Sequence, residues 1–471
     1  MKTIAIIGGG ITGLTAAYTL QKKINAGELD AEVVLIEGQK ELGGKIRSLR
    51  ERGYIMEAGA DSIVSRKAGV TPVLDELGLQ EDVVYNATGK SYLYIDYELK
   101  LIPEDTLFGI PLSIESLARS ELVSAEGKVA ALKDLYTPNE SFTKNDSVGS
   151  FLTYFLGEEL VTRQIAPVLS GVYSGSLNEL TLASTMPYLL DYKNEYGSII
   201  RGLEANRERF KNSGGGKFLS FARGLSQLVE RLEERIPDVS VRKGTGVERL
   251  TRSGDRYELA LADGEVLAAD YVVLAVLHTH AAKLMKDRVL DEAFAQMTTG
   301  SLISVYLGYD VSDDILPQDG TGFIVMGESD LRCSACTWTS RKWAHTSSGR
   351  RLLMRLFYKS SSPDYAELSK LPEDQLLQVA RQDIERSLGI SEAPVVHAIT
   401  RWEETMPVYH IRHHELVGQL EDEFQHRYPG VVLAGCSYHG VGIPDCMLSG
   451  ERAGKIAAEL AGEALKRSSS H

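Results

Sequence analysis

The sequence predicts an α/β protein built on a discontinuous parallel-sheet domain, with an α+β domain and a largely helical insertion between its parts. Three observations predict it. The chain opens on a strand pattern, Lys2–Ile7, then a glycine cluster, then a helical pattern over 14–24. Short apolar runs return far downstream, at 271–276 and 431–435. The stretches between carry other periodicities, helical around 148–156 and strand-like after 285. Short, continuously apolar runs suit strands buried on both faces.

The opening segment reads MKTIAIIGGGITGLTAAY. Gly8, Gly10 and Gly13 fill the glycine places of G-x-G-x-x-G, with Gly9, Ile11 and Thr12 between them. The first glycine makes a tight turn, the second admits a pyrophosphate, and the third lets helix pack on strand. The helix N-terminus then meets the phosphates with its positive dipole end. A second strand, 32–36, runs through Ile36 to Glu37, whose carboxylate is placed to accept hydrogen bonds from an adenosine ribose. This is a Rossmann-like, dinucleotide-binding unit. A helix is expected at 70–77, strands at YLYI and KLI, and a helix at 148–156 with Asp146 and Ser147 as caps. KNSGGGK, 211–217, is a loop. The α/β pattern resumes with a helix at 224–236 and a strand with a glycine bend in VSVRKGTGVERL. A hairpin around Asp263-Gly264 and the strand 271–276 follow. Helices at 372–387 and 449–465 flank the strand at 431–435. The dinucleotide domain is therefore assigned to 1–65, 216–284 and 431–471. An α+β substrate domain takes 66–90 and 285–430, and a mainly helical domain takes 91–215. A nicotinamide dehydrogenase usually completes its Rossmann fold contiguously, so the interruptions point to a large FAD protein.

Of 471 residues, 43% are hydrophobic and 25% charged, as in a soluble globular protein. The net charge of −14 excludes nucleic acid as a partner. It also requires a local basic cluster to meet any anionic substrate. Four cysteines in this length indicate a reducing, cytoplasmic setting. Cys333 and Cys336 form a C-x-x-C, taken as structural because a strand pattern in LRCSACTWT would send them to opposite faces. No histidine or cysteine set has metal-ligand spacing, so no metal is expected. Neither a signal peptide nor an apolar run of about 18 residues is expected. The final KRSSSH is a tail outside the fold.

Past Glu37 the chain reads GQKELGGKIRS, and at 53–63 GYIMEAGADSI. Gly43-Gly44 with Lys45 and Arg47 resembles the second fingerprint of amine-oxidase-like FAD flavoproteins, with Lys45 where arginine is usual. Lysine keeps the charge and loses the planar fork. GYIMEAGADSI resembles that family's E-x-G-P-x-S segment, with Ala60 replacing proline. LAGCSYHGVGIPDCMLSGERAG, 433–454, is the most specific stretch. With GKSYLY, LSGVYSG, ACTWTSRKW and TRWEETMPVYH, it resembles the oxygen-dependent porphyrinogen oxidases of Gram-positive haem synthesis, over about residues 2–460. HIRHH, 410–414, departs from that pattern, since the family tends to have a glycine before the position of His413.

The resemblance implies one non-covalent FAD per chain. It places Gly8, Gly9, Gly10, Ile11, Thr12 and Gly13 on the pyrophosphate and Ile36 and Glu37 by the ribose. Gly44, Lys45, Ala58, Gly59, Ala60 and Asp61 lie along the dinucleotide, and Val247 on the adenine side. Trp402, Val441, Gly442 and Ile443 border the flavin ring. Ordinary core is the competing assignment for Trp402, and a plain turn for 441–443. Val172 and Tyr173 match positions that line the family's substrate cavity. Arg66 and Lys67, directly after the flavin-side loop, are candidates for substrate propionates. No catalytic acid or base is named. The implied reaction is oxidation of coproporphyrinogen III to coproporphyrin III with dioxygen as acceptor and hydrogen peroxide as product. Protoporphyrinogen IX oxidation, amine oxidation and a flavin-binding interaction protein without turnover stay open, as does the oligomeric state. The resemblance gives 107–160 as the surface for peripheral membrane contact, with contact residue and core as the two open assignments for Leu107, Phe108 and Ile110.

Overall fold

The computed structural model describes residues 1–65, 70–87, 90–172, 177–178, 180–183, 185–210, 218–327, 329–410 and 412–468. They form two units: Met1–Asn86, Gly216–Thr299 and His413–His471 in the first, Ala87–Gly215 and Gly300–Arg412 in the second.

The strand Lys2–Ile7 (β1) is apolar on both faces and so takes the middle of a sheet. It is followed by the helix Ile11–Asn25 (α1) and the strand Ala31–Glu37 (β2). Later segments add Ser240–Lys243 (β3), Tyr271–Leu274 (β4), Val431–Leu433 (β5) and the helix Ile443–Ser468 (α2). The sheet order is β3-β2-β1-β4-β5, with every neighbouring pair parallel. Ile4 stands opposite Val33 on one side and Tyr271 on the other. Side chains alternate between faces. Ile4, Ile6, Val33 and Leu35 pack with Leu14, Ala17, Ala457 and Ala461. Ala5, Ile7, Val34 and Ile36 pack with Leu284, Leu420 and Phe424.

The two helices approach closely because α2 carries small residues where it meets α1. A Cβ on Gly450 would lie 2.2 Å from the Thr12 carbonyl oxygen, and one on Gly454 2.9 Å from that of Ala16. The closing helix starts at Ile443, six residues before the expected 449. Pro444 falls in its first turn, where its missing N–H is no loss. VSVRKGTGVERL is two strands in two sheets, because Gly244 turns the chain at φ +78.

In the second unit a seven-stranded sheet runs Val396–Val408, Thr298–Ser312, Arg351–Lys359, Ala335–Thr337, Gly322–Val325, Tyr92–Ile95, Glu98–Leu101. Its apolar face (Ile303, Val305, Met354, Leu356, Tyr358) is covered by Leu376, Ala380 and Ile384 of the helix Glu373–Leu388. Cys333 and Cys336 both lie in this core rather than on opposite faces. The strand begins only at Ala335, so alternation does not reach back to Cys333. Burial pushes both thiols well above their usual range.

The helix Val148–Leu156 forms as expected, with the Ser147 hydroxyl accepting from Ser150 N at 3.1 Å. Ile110 is fully buried, and Leu107 and Phe108 pack against the helical core, so of their two open assignments the structure takes core. The cause is a short hairpin pinned at its tip, where the Gln164 amide donates to Gly109 O at 2.6 Å. Ile114, Val129, Tyr136 and Tyr154 are the exposed apolar side chains of this stretch among the described residues.

Candidate dinucleotide site

Three loops meet at the C-terminal ends of β1 and β2, where open α/β sheets bind ligands. Gly8 N donates to Ile36 O at 2.9 Å, and Gly43 N to Gly9 O at 2.8 Å. Ala60 N donates to Lys45 O at 3.0 Å, and Ala58 N to Arg47 O at 2.8 Å. The glycine turn, the Gly43–Arg47 loop and the 58–61 loop are thus stitched edge to edge.

Each glycine of the motif meets a different constraint. Gly8 has φ +105, and a Cβ there would lie 2.5 Å from Ala275 O. A Cβ on Gly13 would lie 1.9 Å from Gly8 O, so only glycine lets α1 follow the turn. A Cβ on Gly10 would meet nothing within 4 Å. That open space faces the start of α1, whose N-cap, Gly10, makes no side-chain cap and whose first turn has no acid. Orphan N–H groups and the positive helix end there suit a pyrophosphate. The cradle fits a dinucleotide.

Glu37 is half-buried, and its carboxylate accepts from Gly9 N at 2.7 Å and Gln39 N at 2.8 Å. Both bonds orient it beside the turn and leave acceptor capacity for hydroxyls. Ile11 and Thr12 are buried; Thr12 is pressed between Gly435 and Gly450, joining α1 to the C-terminal segment. Gly44 is exposed, and a Cβ on it would reach Gly10 Cα at 3.4 Å. Ala58 is buried, Gly59 and Ala60 are half-buried, and Asp61 accepts from the Ser62 hydroxyl at 2.9 Å. The loop is held from behind by Glu57, which accepts from Ser48 Oγ and Leu225 N, each at 2.8 Å. Val247 is buried in the same core as Ile36.

The 435–442 loop follows β5. Gly435 N donates to Ser449 Oγ at 2.9 Å. Asp445 lies beneath Gly440 and Gly442, where added Cβ atoms would come within 2.6 and 2.9 Å of it. Val441 is exposed, and Ile443, the first residue of α2, is buried.

Two contacts here carried no signal in the sequence. The buried His278 donates its amide to Ser437 Oγ at 3.0 Å, with Nδ1 3.1 Å from that oxygen and Nε2 3.1 Å from Met297 O. A carbonyl only accepts, so Nε2 bears the proton and Nδ1 accepts from the serine hydroxyl. Burial lowers the His278 pKa from its ordinary value, and the bond to Met297 only partly offsets this. The second is between Lys45, already a site residue by sequence, and Cys436, with the ammonium 3.5 Å from Sγ. His439 pairs with Glu421 at 3.1 Å.

Trp402 is half-buried in Val396–Val408 of the second unit. Val172 ends the helix Ala166–Val172. Arg66, Lys67 and Tyr173 lie outside the described residues, as does KNSGGGK. Among the described residues no three His, Cys, Asp or Glu side chains are grouped to hold a metal ion, and no helix is long and apolar enough to cross a membrane.

The family model described as flavin containing amine oxidoreductase matches residues 11–456. The chain belongs to this family. It is an oxidoreductase, and the family's cofactor is a flavin. Coproporphyrinogen III oxidase of Bacillus subtilis (strain 168) is 34% identical over 457 residues, covering 96% of this chain and 97% of the relative. That of Staphylococcus aureus (strain NCTC 8325 / PS 47) is 31% identical, covering 97% and 98%. A crystal structure from Exiguobacterium sp. 255-15 superposes with a TM-score of 0.88 at 31% identity, covering 98% of this chain and 99% of that one.

Proposed function

We propose that the protein is an FAD-dependent coproporphyrinogen III oxidase of haem biosynthesis. The observation that carries this is the 34% identity to the Bacillus subtilis enzyme across 96% of the chain. One FAD binds non-covalently. When bound, it supplies the acceptor for hydride equivalents from the porphyrinogen. The chain's part is binding and orientation. Backbone N–H groups from Gly8 to Gly13 and the positive end of α1 hold the pyrophosphate. Glu37, fixed by two amides, accepts from the ribose. Lys45 neutralises phosphate charge, and Val247 borders the adenine. Val441, Gly442, Ile443 and Trp402 flank the flavin ring. Arg66 and Lys67 anchor propionates, and Val172 and Tyr173 line the macrocycle's slot. No side-chain base is assigned, because orienting the donor carbon at the ring supplies the main advantage. Dioxygen takes the electrons and leaves as hydrogen peroxide. The 107–160 stretch makes the peripheral membrane contact from the cytoplasmic side.

The test is a side-by-side rate measurement on the two porphyrinogens, with flavin content determined on the purified protein. Faster oxidation of coproporphyrinogen III, on a yellow protein that releases FAD when denatured, is expected. Faster oxidation of protoporphyrinogen IX would overturn the substrate assignment. Oxidation of amines alone would overturn the reaction.

A further inference from the structure

The 435–442 loop after β5 is held at its ends by the helix that follows it. Gly435 N donates to Ser449 Oγ at 2.9 Å, and Gly440 and Gly442 sit over Asp445, both partners being residues of α2. Its middle is held from elsewhere. Ser437 is fully buried, and its hydroxyl oxygen meets one residue twice: it accepts from His278 N at 3.0 Å and lies 3.1 Å from His278 Nδ1. His278 is the first residue of the helix His278–Met285, which follows β4. Its other ring nitrogen, Nε2, lies 3.1 Å from Met297 O. With its proton on Nε2 the ring accepts from the serine and donates to the carbonyl, so both nitrogens are committed. Met297 immediately precedes the long strand Thr298–Ser312, on which the chain leaves the first unit. One imidazole therefore ties the loop to the point where the chain passes into the second unit. Burial lowers its pKa, which favours the neutral ring this pattern needs.

We propose that His278 is a positioning residue for the flavin ring, acting through Ser437. The proposal rests on the assignment of Val441, Gly442 and Ile443 to that ring. They stand at the exit of the loop whose middle Ser437 occupies. Backbone with glycine at 440 and 442 has wide conformational freedom, so its course depends on what is anchored on either side. Asp445 of α2 anchors the exit, and His278 anchors the approach. Removing either partner strands the other: without the ring, the serine hydroxyl loses its acceptor, and without the serine, a buried amide and Nδ1 are left unpaired. A histidine that only filled core space would need none of these bonds. In this role His278 gives no proton to the reaction. It sets where the loop presents its backbone, as a supporting residue behind a binding surface does.

The two ring contacts can be separated. An asparagine amide reaches about as far as Nδ1 and keeps a partner for Ser437, whereas a glutamine amide reaches as far as Nε2 and keeps one for Met297. Full-length apoprotein of each variant is titrated with FAD, and the visible absorption band of the bound flavin is recorded. His278→Asn should retain most of the FAD affinity and leave the band in place. His278→Gln and Ser437→Ala should each weaken FAD several-fold and shift the band, and the two together should do no more than His278→Gln alone, since both remove one bond. If Ser437→Ala does not fold, the asparagine and glutamine pair decides the matter by itself. Equal loss of FAD affinity in that pair, or variants that melt earlier but bind FAD with wild-type affinity and an unshifted band, would overturn the proposal and leave the flavin assignment standing. A wild-type protein that takes up no FAD would overturn both.

Discussion

Gly10 and Gly13 stand three positions apart in one motif but answer to different neighbours. A side chain at Gly10 would enter open space, whereas a Cβ at Gly13 would lie 1.9 Å from Gly8 O. Gly10→Val should therefore cost the protein itself at most about 1 kcal/mol, the usual loss at an N-cap. It should also fill the phosphate cradle and reduce bound flavin more than tenfold. Gly13→Ala should destabilise the fold by about 1–3 kcal/mol, because a backbone carbonyl has to move. Thermal midpoints and flavin absorbance on both variants separate the effects, and equal melting losses would sink the distinction. His278 gives a second expectation. Its pKa in the fold is lowered from 6.5, chiefly by burial. The unfolded chain therefore binds the proton more readily, and this part of the stability, complete above about pH 6.5, declines as pH falls. Urea midpoints at about pH 7.5 and 5.5 should show a smaller acid loss for His278→Gln than for the wild type; an unchanged loss would contradict it. The glycine turn was legible in the sequence because close phosphate approach demands missing side chains in a fixed order. The Lys45–Cys436 contact was not, since 391 positions separate its partners and neither stands in a motif that names the other.

At the scale of the element, periodicity found the strands and helices, and local chemistry misplaced some of their ends. The strand Lys2–Ile7 and the helix after Ser147 are set by apolar spacing and a serine cap. The sequence pattern places the start of α2 too late because G-I-P-D resembles a loop, although proline suits a first helical turn. Strand alternation does not hold at Cys333, because that residue precedes its strand. What the pattern could not show is how tightly two helices pack, and that sets a third expectation. Gly450 and Gly462 lie on the same helix. A Cβ on Gly450 would lie 2.2 Å from Thr12 O, and one on Gly462 meets nothing within 4 Å. Gly450→Ala should therefore destabilise by about 1–3 kcal/mol through forced separation of α1 and α2. Gly462→Ala should instead stabilise by about 0.5–1 kcal/mol through helix propensity. Denaturant titration of both variants tests the pair, and a harmless Gly450→Ala would show that the helices are free to move apart.

For the whole molecule, the unit that carries the dinucleotide site is assembled from three separated stretches of chain. Its sheet ends on β5, and the face of α1 is covered by α2, both supplied after residue 430. Tyr271 O–H reaches Leu460 O at 2.9 Å, and Gly435 N reaches Ser449 Oγ at 2.9 Å, so β4, the loop after β5 and the last helix are tied together. A chain stopped after Gly430 would leave β4 as an exposed edge and uncover Leu14, Ala17 and Ala16 on α1. The opening fingerprint would then be intact in sequence but have no packed helix behind it. Such a truncation should yield no soluble flavin-bound protein, while the full-length Gly462→Ala variant, altered in the same segment, should retain its flavin. Expression of both chains under identical conditions, with flavin measured in the soluble fraction, decides the matter. A truncated protein that still bound flavin would mean that β1, α1 and β2 form the cradle without the closing segment.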